Sequence, residues 1–169
     1  APYFEGEPTT DFKPEYVEKN ELTVTVPEIP NKDVLLKLKS HPMWNEYNSR
    51  CISCGACTIA CSTCTCFTTT DIIYNENGSV GERKRTSASC QVKGFSDMAG
   101  GMSFRKTAAE RMRYKVLHKF HDYKARFKDY HMCVGCGRCI DRCPEYISIA
   151  ATVEKMSKAI DEIVAEENK

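Results

Sequence analysis

Two runs of cysteine carry the chemistry of this chain. The first is Cys51-x2-Cys54-x2-Cys57-x3-Cys61, and the second is Cys133-x2-Cys136-x2-Cys139-x3-Cys143-Pro144. Thiols packed this closely are too near one another for strain-free bridges within a run, and they read as metal ligands held as thiolates. Zinc takes four ligands, usually from two pairs, so a run of four at 2-2-3 spacing, occurring twice, overshoots a zinc site. The same spacing suits two [4Fe–4S] clusters. Three thiolates wrap one face of a cube, and the fourth, carried onward by the chain, points elsewhere. The expected ligation is therefore crossed: Cys51, Cys54, Cys57 and Cys143 on one cluster, and Cys133, Cys136, Cys139 and Cys61 on the other. Gly55, Ala56, Gly135 and Gly137 keep the loops close to the inorganic core, and Ile52, Ile59, Val134 and Ile140 are candidates to shield it. The competing reading, from another class, is a zinc-stabilised interaction module.

Three further cysteines, Cys64, Cys66 and Cys90, fall outside the runs. Cys64 rivals Cys61 as a fourth ligand, because Ser62 rather than proline follows Cys61. Otherwise the three read as small buried residues, or as a third metal site or redox thiol pair. His118 and His121 are expected as a half-exposed pair. His131, two residues before Cys133, is either a loop histidine or a hydrogen-bond donor to a cluster sulfur. No nucleophile–base constellation is present, so no catalytic residue is assigned.

The elements that must position these ligands follow from pattern. Five prolines mark residues 1–30 as an extended arm, with one short strand possible at Leu22-Thr-Val-Thr-Val26. Asn31 caps a helix bearing Val34, Leu35 and Leu38, and Pro42 opens a second short turn. Residues 67–85 read as a β-hairpin turning at Asn77-Gly78. A long helix is expected over 103–128, with a stripe of Phe104, Ala108, Met112, Val116, Phe120, Tyr123 and Phe127. A last helix over 147–166 carries Ile149, Val153, Met156, Ile160 and Ile163. The long connection between the cysteine runs, with helices flanking both, favours a mainly α fold. That fold is an α-helical ferredoxin-like two-cluster domain over 31–169, resembling the two-cluster half of fumarate reductase iron–sulfur subunits, with a small β-hairpin insertion and the extended N-terminal arm.

Composition bounds the rest. The chain has 169 residues with 24 Lys+Arg against 23 Asp+Glu, which argues against a basic nucleic-acid coat. No apolar run is long enough to span a membrane, and residues 1–15 lack the pattern of a signal peptide. The 11 cysteines and their clustering point to a reducing cytoplasm. The chain opens without Met, which reads as processing or truncation. Between residues 82 and 128 thirteen basic residues face four acidic ones, read as a solvated face or a docking face for an acidic redox partner. Arg138 and Arg142 inside the second run are expected to raise the potential of its cluster by on the order of 90 mV.

The sequence resembles the C-terminal half of the A subunit of anaerobic sulfite reductases and, more distantly, the iron–sulfur β subunits of sulfhydrogenases. The stretches that carry this are Ser49-Arg-Cys-Ile-Ser-Cys-Gly-Ala-Cys57, Cys64-Thr-Cys66, Gly81-Glu-Arg, Ser89-Cys90, Gly94-Phe-Ser-Asp-Met-Ala-Gly-Gly101, Glu110-Arg-Met-Arg-Tyr114, Leu117-His-Lys119, Asp122-Tyr-Lys-Ala-Arg126 and His131-Met-Cys-Val-Gly-Cys-Gly-Arg-Cys139. They span roughly residues 40–150. The resemblance implies electron transfer from a flavin subunit that oxidises NADH to a sirohaem subunit that reduces sulfite. It also implies an N-terminal half that this chain does not include. An electron-transfer subunit of a hydrogenase or sulfur reductase is the neighbouring reading.

Overall fold

The computed structural model describes residue 13 and residues 23–167. Helix α1 (Lys32–Ser40) begins where expected: the Asn31 side chain accepts a hydrogen bond from the Val34 amide at 2.8 Å. A single 3₁₀ turn, Pro42–Trp44, follows, and then α2 (Tyr47–Arg50) leads into the first cysteine run. Two one-turn helices carry the third cysteine of each run, α3 (Ala56–Ile59) and α6 (Arg138–Asp141). Between them lie the hairpin β1 (Phe67–Ile73) and β2 (Gly81–Ser87), and the long helical segment. That segment comprises α4 (Ala108–Leu117), a π-helical turn His118–Asp122, and α5 (Tyr123–Phe127). Helix α7 (Ile149–Glu167) closes the chain's described part.

One core holds the helices together. Val34 and Leu38 of α1, Met112, Val116 and Leu117 of α4, Phe120, and the whole stripe of α7 are buried with Trp44 and Tyr47. Burying a side chain of this size contributes roughly 1.5–3 kcal/mol. Two of the aromatic polar groups inside are paired: Trp44 Nε1 donates to the Leu38 carbonyl at 2.8 Å, and the Tyr47 and Thr152 hydroxyls share a hydrogen bond of 2.7 Å. Arg113 donates to the Lys39 carbonyl at 2.6 Å, satisfying the end of α1.

The long helix starts later than 103. Thr107 and Glu110 form a reciprocal capping box, and Asn48 Oδ1 accepts from the Ala109 amide at 3.0 Å. Gly100 and Gly101 lie upstream with φ of +84° and +77°, outside any helix. Phe104 is consequently exposed, as is Phe127 at the other end. The basic face differs too. Arg111, Lys115 and Lys119 are buried rather than solvated.

The hairpin is antiparallel, with Phe67 opposite Ser87 and Ile73 opposite Gly81. Asn75 and Gly78 close a turn within a seven-residue loop, so Asn77-Gly78 forms its second half instead of a two-residue connection. Both faces of the hairpin are exposed, and Asp71 grips Arg83 directly across the strands at 2.6 and 2.8 Å. Most of the arm lies outside the described residues. Of the strand expected there, Leu22 is outside them and 23–26 is irregular coil. Val24, Val26 and Ile29 nonetheless lie against the core. No described helix is long and apolar enough to cross a membrane.

Candidate metal centre

The two cysteine loops fold alike. Ser53 and Gly55 in the first have φ of +59° and +81°, and Gly135 and Gly137 in the second have +69° and +74°. This left-handed, then helical, path turns successive thiols to one side of the chain and launches α3 and α6. Gly55 is further constrained: an added Cβ would stand 2.9 Å from both Ser89 Cβ and Val92 Cγ2. Ser53 holds its unusual backbone with help from Arg111, whose guanidinium donates to Ser53 Oγ at 2.7 Å and to the carbonyls of Gln91, Lys106 and Arg105.

Two adjoining cavities open between the loops. The first is lined by Cys51, Cys54, Cys57, Cys139 and Cys143, and the second by Cys57, Cys61, Cys133, Cys136 and Cys139. Space not filled by atoms, mouths included, is about 420 and 460 Å³. Cys57 and Cys139, on the packed helices α3 and α6, form the shared wall. The fourth cysteines exchange sides: Cys143 lies with the first loop and Cys61 with the second. Both sit just beyond their one-turn helices, where the chain turns away. Cys54 and Cys136 are exposed, so each cavity has an edge at the surface. Ile52 and Val134 line the cavities while remaining largely exposed, and Ile59 is exposed away from them.

Two lysines, unexpected from the sequence, complete the second cavity. Lys115 is buried, lines the cavity, and its Nζ has no hydrogen-bond partner among the described residues. An unpaired buried ammonium is costly by several kcal/mol. A thiolate-ligated [4Fe–4S] cluster, which is anionic, supplies the counter-charge this cavity lacks, so the residues present fit that group. Lys119 Nζ lies 3.4 Å from Cys61 Sγ and 3.0 Å from Thr63 Oγ1. Its carbonyl accepts from the Met132 amide at 2.9 Å, one residue before Cys133. The π turn carrying Lys119 thus ties both cysteine runs to the long helix, a common use of such irregularities. Burial pushes the Cys61 thiol up, but hydrogen bonds at Thr63 and the Lys119 charge outweigh it and bring its pKa down to about 6. Cys64 shows the reverse, with burial taking it up to about 11 despite Lys119. Cys51 and Cys139 are also raised, mainly by burial.

Other sequence candidates stand apart. Cys64, Cys66, Cys90 and His118 line a separate cavity. His121 and His131 line a separate groove with Lys124 and Lys128, which adjoins the second cysteine cavity at Phe120. His131 packs on Phe120, and its buried Nδ1 has no hydrogen-bond partner among the described residues. Arg138 and Arg142 are exposed. The signal for the buried cations is the spacing Arg111, Lys115, Lys119, which runs beside Met112, Val116 and Phe120.

Residues 50–147, more than half of the chain, match the 4Fe-4S dicluster domain family. The chain belongs to that family. Its members are iron–sulfur domains, which replaces the zinc reading and makes [4Fe–4S] clusters the cofactor of this dicluster domain. A relative is sulfhydrogenase 2 subunit beta of Pyrococcus furiosus, 32% identical over 129 residues. The match covers 76% of this chain and 37% of that relative, so the dicluster chain spans little more than a third of the relative's length. No solved structure matches it significantly.

Proposed function

We propose that this chain relays electrons through two [4Fe–4S] clusters as the iron–sulfur module of an oxidoreductase complex. Cys51, Cys54, Cys57 and Cys143 hold one cluster, and Cys133, Cys136, Cys139 and Cys61 hold the other. The observation that carries the reading is the exchange of Cys143 and Cys61 between the two cavities. When bound, each cluster supplies one-electron transfer. The chain's own residues orient the thiolates, place Lys115 and Lys119 against the second site, and keep one edge of each site at the surface. The helical framework around the two loops is that of an α-helical ferredoxin, built on α3, α6 and the long segment between them.

The complex we favour is a cytoplasmic anaerobic sulfite reductase. Its flavin subunit would deliver electrons from NADH, and its sirohaem subunit would consume them. The family resemblance over residues 40–150 supports this reading. A hydrogenase or sulfur reductase is the second reading, supported by the sulfhydrogenase beta relative. Neither nucleic acid nor membrane enters either reading.

Cys143→Ser tests the crossed ligation. Electron paramagnetic resonance of the reduced protein is expected to show a perturbed first cluster with the second spared. Perturbation of the second cluster alone would overturn the crossing. Purification of the intact complex separates the two partner readings: sirohaem absorption supports sulfite reduction, and bound nickel supports hydrogen chemistry.

A further inference from the structure

A third cavity lies beside Lys115 and Lys119, lined also by Cys64, Cys66, Cys90 and His118. We propose that it holds a third iron–sulfur cluster, ligated by Cys64, Cys66, Cys90 and His118. This goes beyond the two-cluster reading and uses none of its eight ligands.

The ligands converge from three separate parts of the chain. Cys64 and Cys66 lie between α3 and β1, Cys90 follows β2, and His118 opens the π turn. The hairpin enforces the meeting. Phe67 pairs with Ser87, and one step further the Ala88 amide donates to the Cys66 carbonyl at 3.0 Å, so the feet of the strands bring Cys66 and Cys90 to the same place. An exposed hairpin with no buried face contributes little to the core. Fixing its two feet at a cysteine cavity gives it a structural purpose.

The surroundings are those of a ligand sulfur. Cys90 is buried, with Thr58 Oγ1 at 3.6 Å and Gln91 Nε2 at 3.9 Å from its sulfur. Hydrogen bonds to ligand sulfurs are a main control on cluster potential. Lys115 and Lys119 line both this cavity and the second one. Two buried ammonium groups therefore stand between two thiol-lined spaces, which suits an anionic group on each side. The unfilled space, mouth included, is about 310 Å³, against about 420 and 460 Å³ for the first two cavities.

A cluster fits better than a single ion. Among the described residues no three His, Cys, Asp or Glu side chains come together closely enough to enclose one metal ion, at this cavity or at the other two. A zinc site draws its four ligands tightly around one centre. A cubane spreads its ligands over separate corner irons. The second site adjoins both of the others. The first and second share Cys57 and Cys139, the second and third share the two lysines, and the first and third share no lining residue.

The test is iron and acid-labile sulfide per chain after anaerobic reconstitution, on wild type and on Cys64→Ser/Cys66→Ser/Cys90→Ser. Three clusters give about twelve irons in the wild type and about eight in the variant, with the spectra of the first two clusters retained. His118→Cys is expected to keep about twelve irons while changing the Mössbauer signature of one iron site. About eight irons in the wild type would overturn the third cluster and leave the two-cluster reading standing. Iron-free or zinc-loaded protein would overturn both. The wild-type count decides even if the triple variant does not fold.

Discussion

The charges that set the potential of the second cluster are expected to come from the long helix, and replacing Lys119 tests this. Its Nζ is 3.4 Å from Cys61 Sγ. Taking the added electron's charge to lie about 6 Å from Nζ, with an effective dielectric near 20, gives about 2.8 kcal/mol of attraction. For a one-electron couple that is on the order of 120 mV. Reduction adds negative charge, so a nearby cation favours the reduced form and raises the potential. Lys119→Gln keeps a hydrogen-bond donor and removes the charge. The second cluster's midpoint should fall by roughly 100 mV, and Lys115→Met should act in the same direction.

Potentiometric titration followed by electron paramagnetic resonance measures both midpoints in one sample. The first cluster serves as an internal control, because neither lysine lines its cavity. Arg138 and Arg142 are exposed, so their charges are largely screened by solvent. Arg138→Gln with Arg142→Gln should therefore shift the second midpoint less than Lys119→Gln does. A lysine shift below about 30 mV, against the estimate above, would refute the reasoning, as would a larger effect from the arginine pair.

Further outcomes can be measured directly. Gly55→Ala meets both a positive φ and contacts of 2.9 Å, so a loss of about 1–3 kcal/mol is expected, read from thermal melts of the loaded protein. Tyr47→Phe removes the 2.7 Å hydrogen bond to Thr152 and should cost about 1 kcal/mol in denaturant unfolding. Burial pushes the Glu46 carboxyl up, but Lys155 at 2.6 Å outweighs it and holds the pKa below the ordinary carboxylate value. The pair thus stabilises the fold above about pH 4.3 and fades as pH falls through the depressed value; being partly exposed, it is worth under about 1 kcal/mol. Glu46→Gln should abolish that acid-side dependence in a pH series of melts. Chelation of iron should lower helix content by circular dichroism as well as bleach the visible spectrum, since each crossed cluster ties together distant parts of the chain.

Local signals were legible in the sequence where one residue type has one backbone consequence. Asn31 as a cap, the α7 stripe from Ile149 to Ile163, and the glycines flanking the cysteines all report local geometry. The start of the long helix was harder, because Gly100-Gly101 and Thr107-x-x-Glu110 both resemble entry signals. The reciprocal capping box wins, since it satisfies amides that a glycine pair leaves open. Three cations of the basic stretch escape a sequence reading for a different reason. Counting charge over 82–128 merges exposed cations with Arg111, Lys115 and Lys119, which share a buried helix face. Lys115 and Lys119 line cysteine cavities, whereas Arg111 is held by Ser53 and three carbonyls, and tertiary placement of that kind is not encoded in any local window.

The long helical segment is accordingly more than a spacer between two cysteine runs. A spacer needs an apolar stripe toward the core, and Met112, Val116 and Phe120 provide it. The adjacent row does separate work at each step of four residues. Arg111 pins Ser53 in the first loop, Lys115 faces the second cavity without a partner, and Lys119 touches Cys61 while anchoring Met132 ahead of the second loop. A regular α-helix continuing through Lys119 would commit its carbonyl to a residue four positions on. The π turn relaxes that pairing at the place where the second loop needs an acceptor. Straightening the turn by deleting one residue between His118 and Asp122 should therefore disturb the second cluster before the first. It would rotate Tyr123 and Phe127 relative to the core but leave Arg111 and Ser53 in place. A deletion that bleaches the first cluster preferentially, followed by its distinct resonance signal, would show that the segment acts as a passive support.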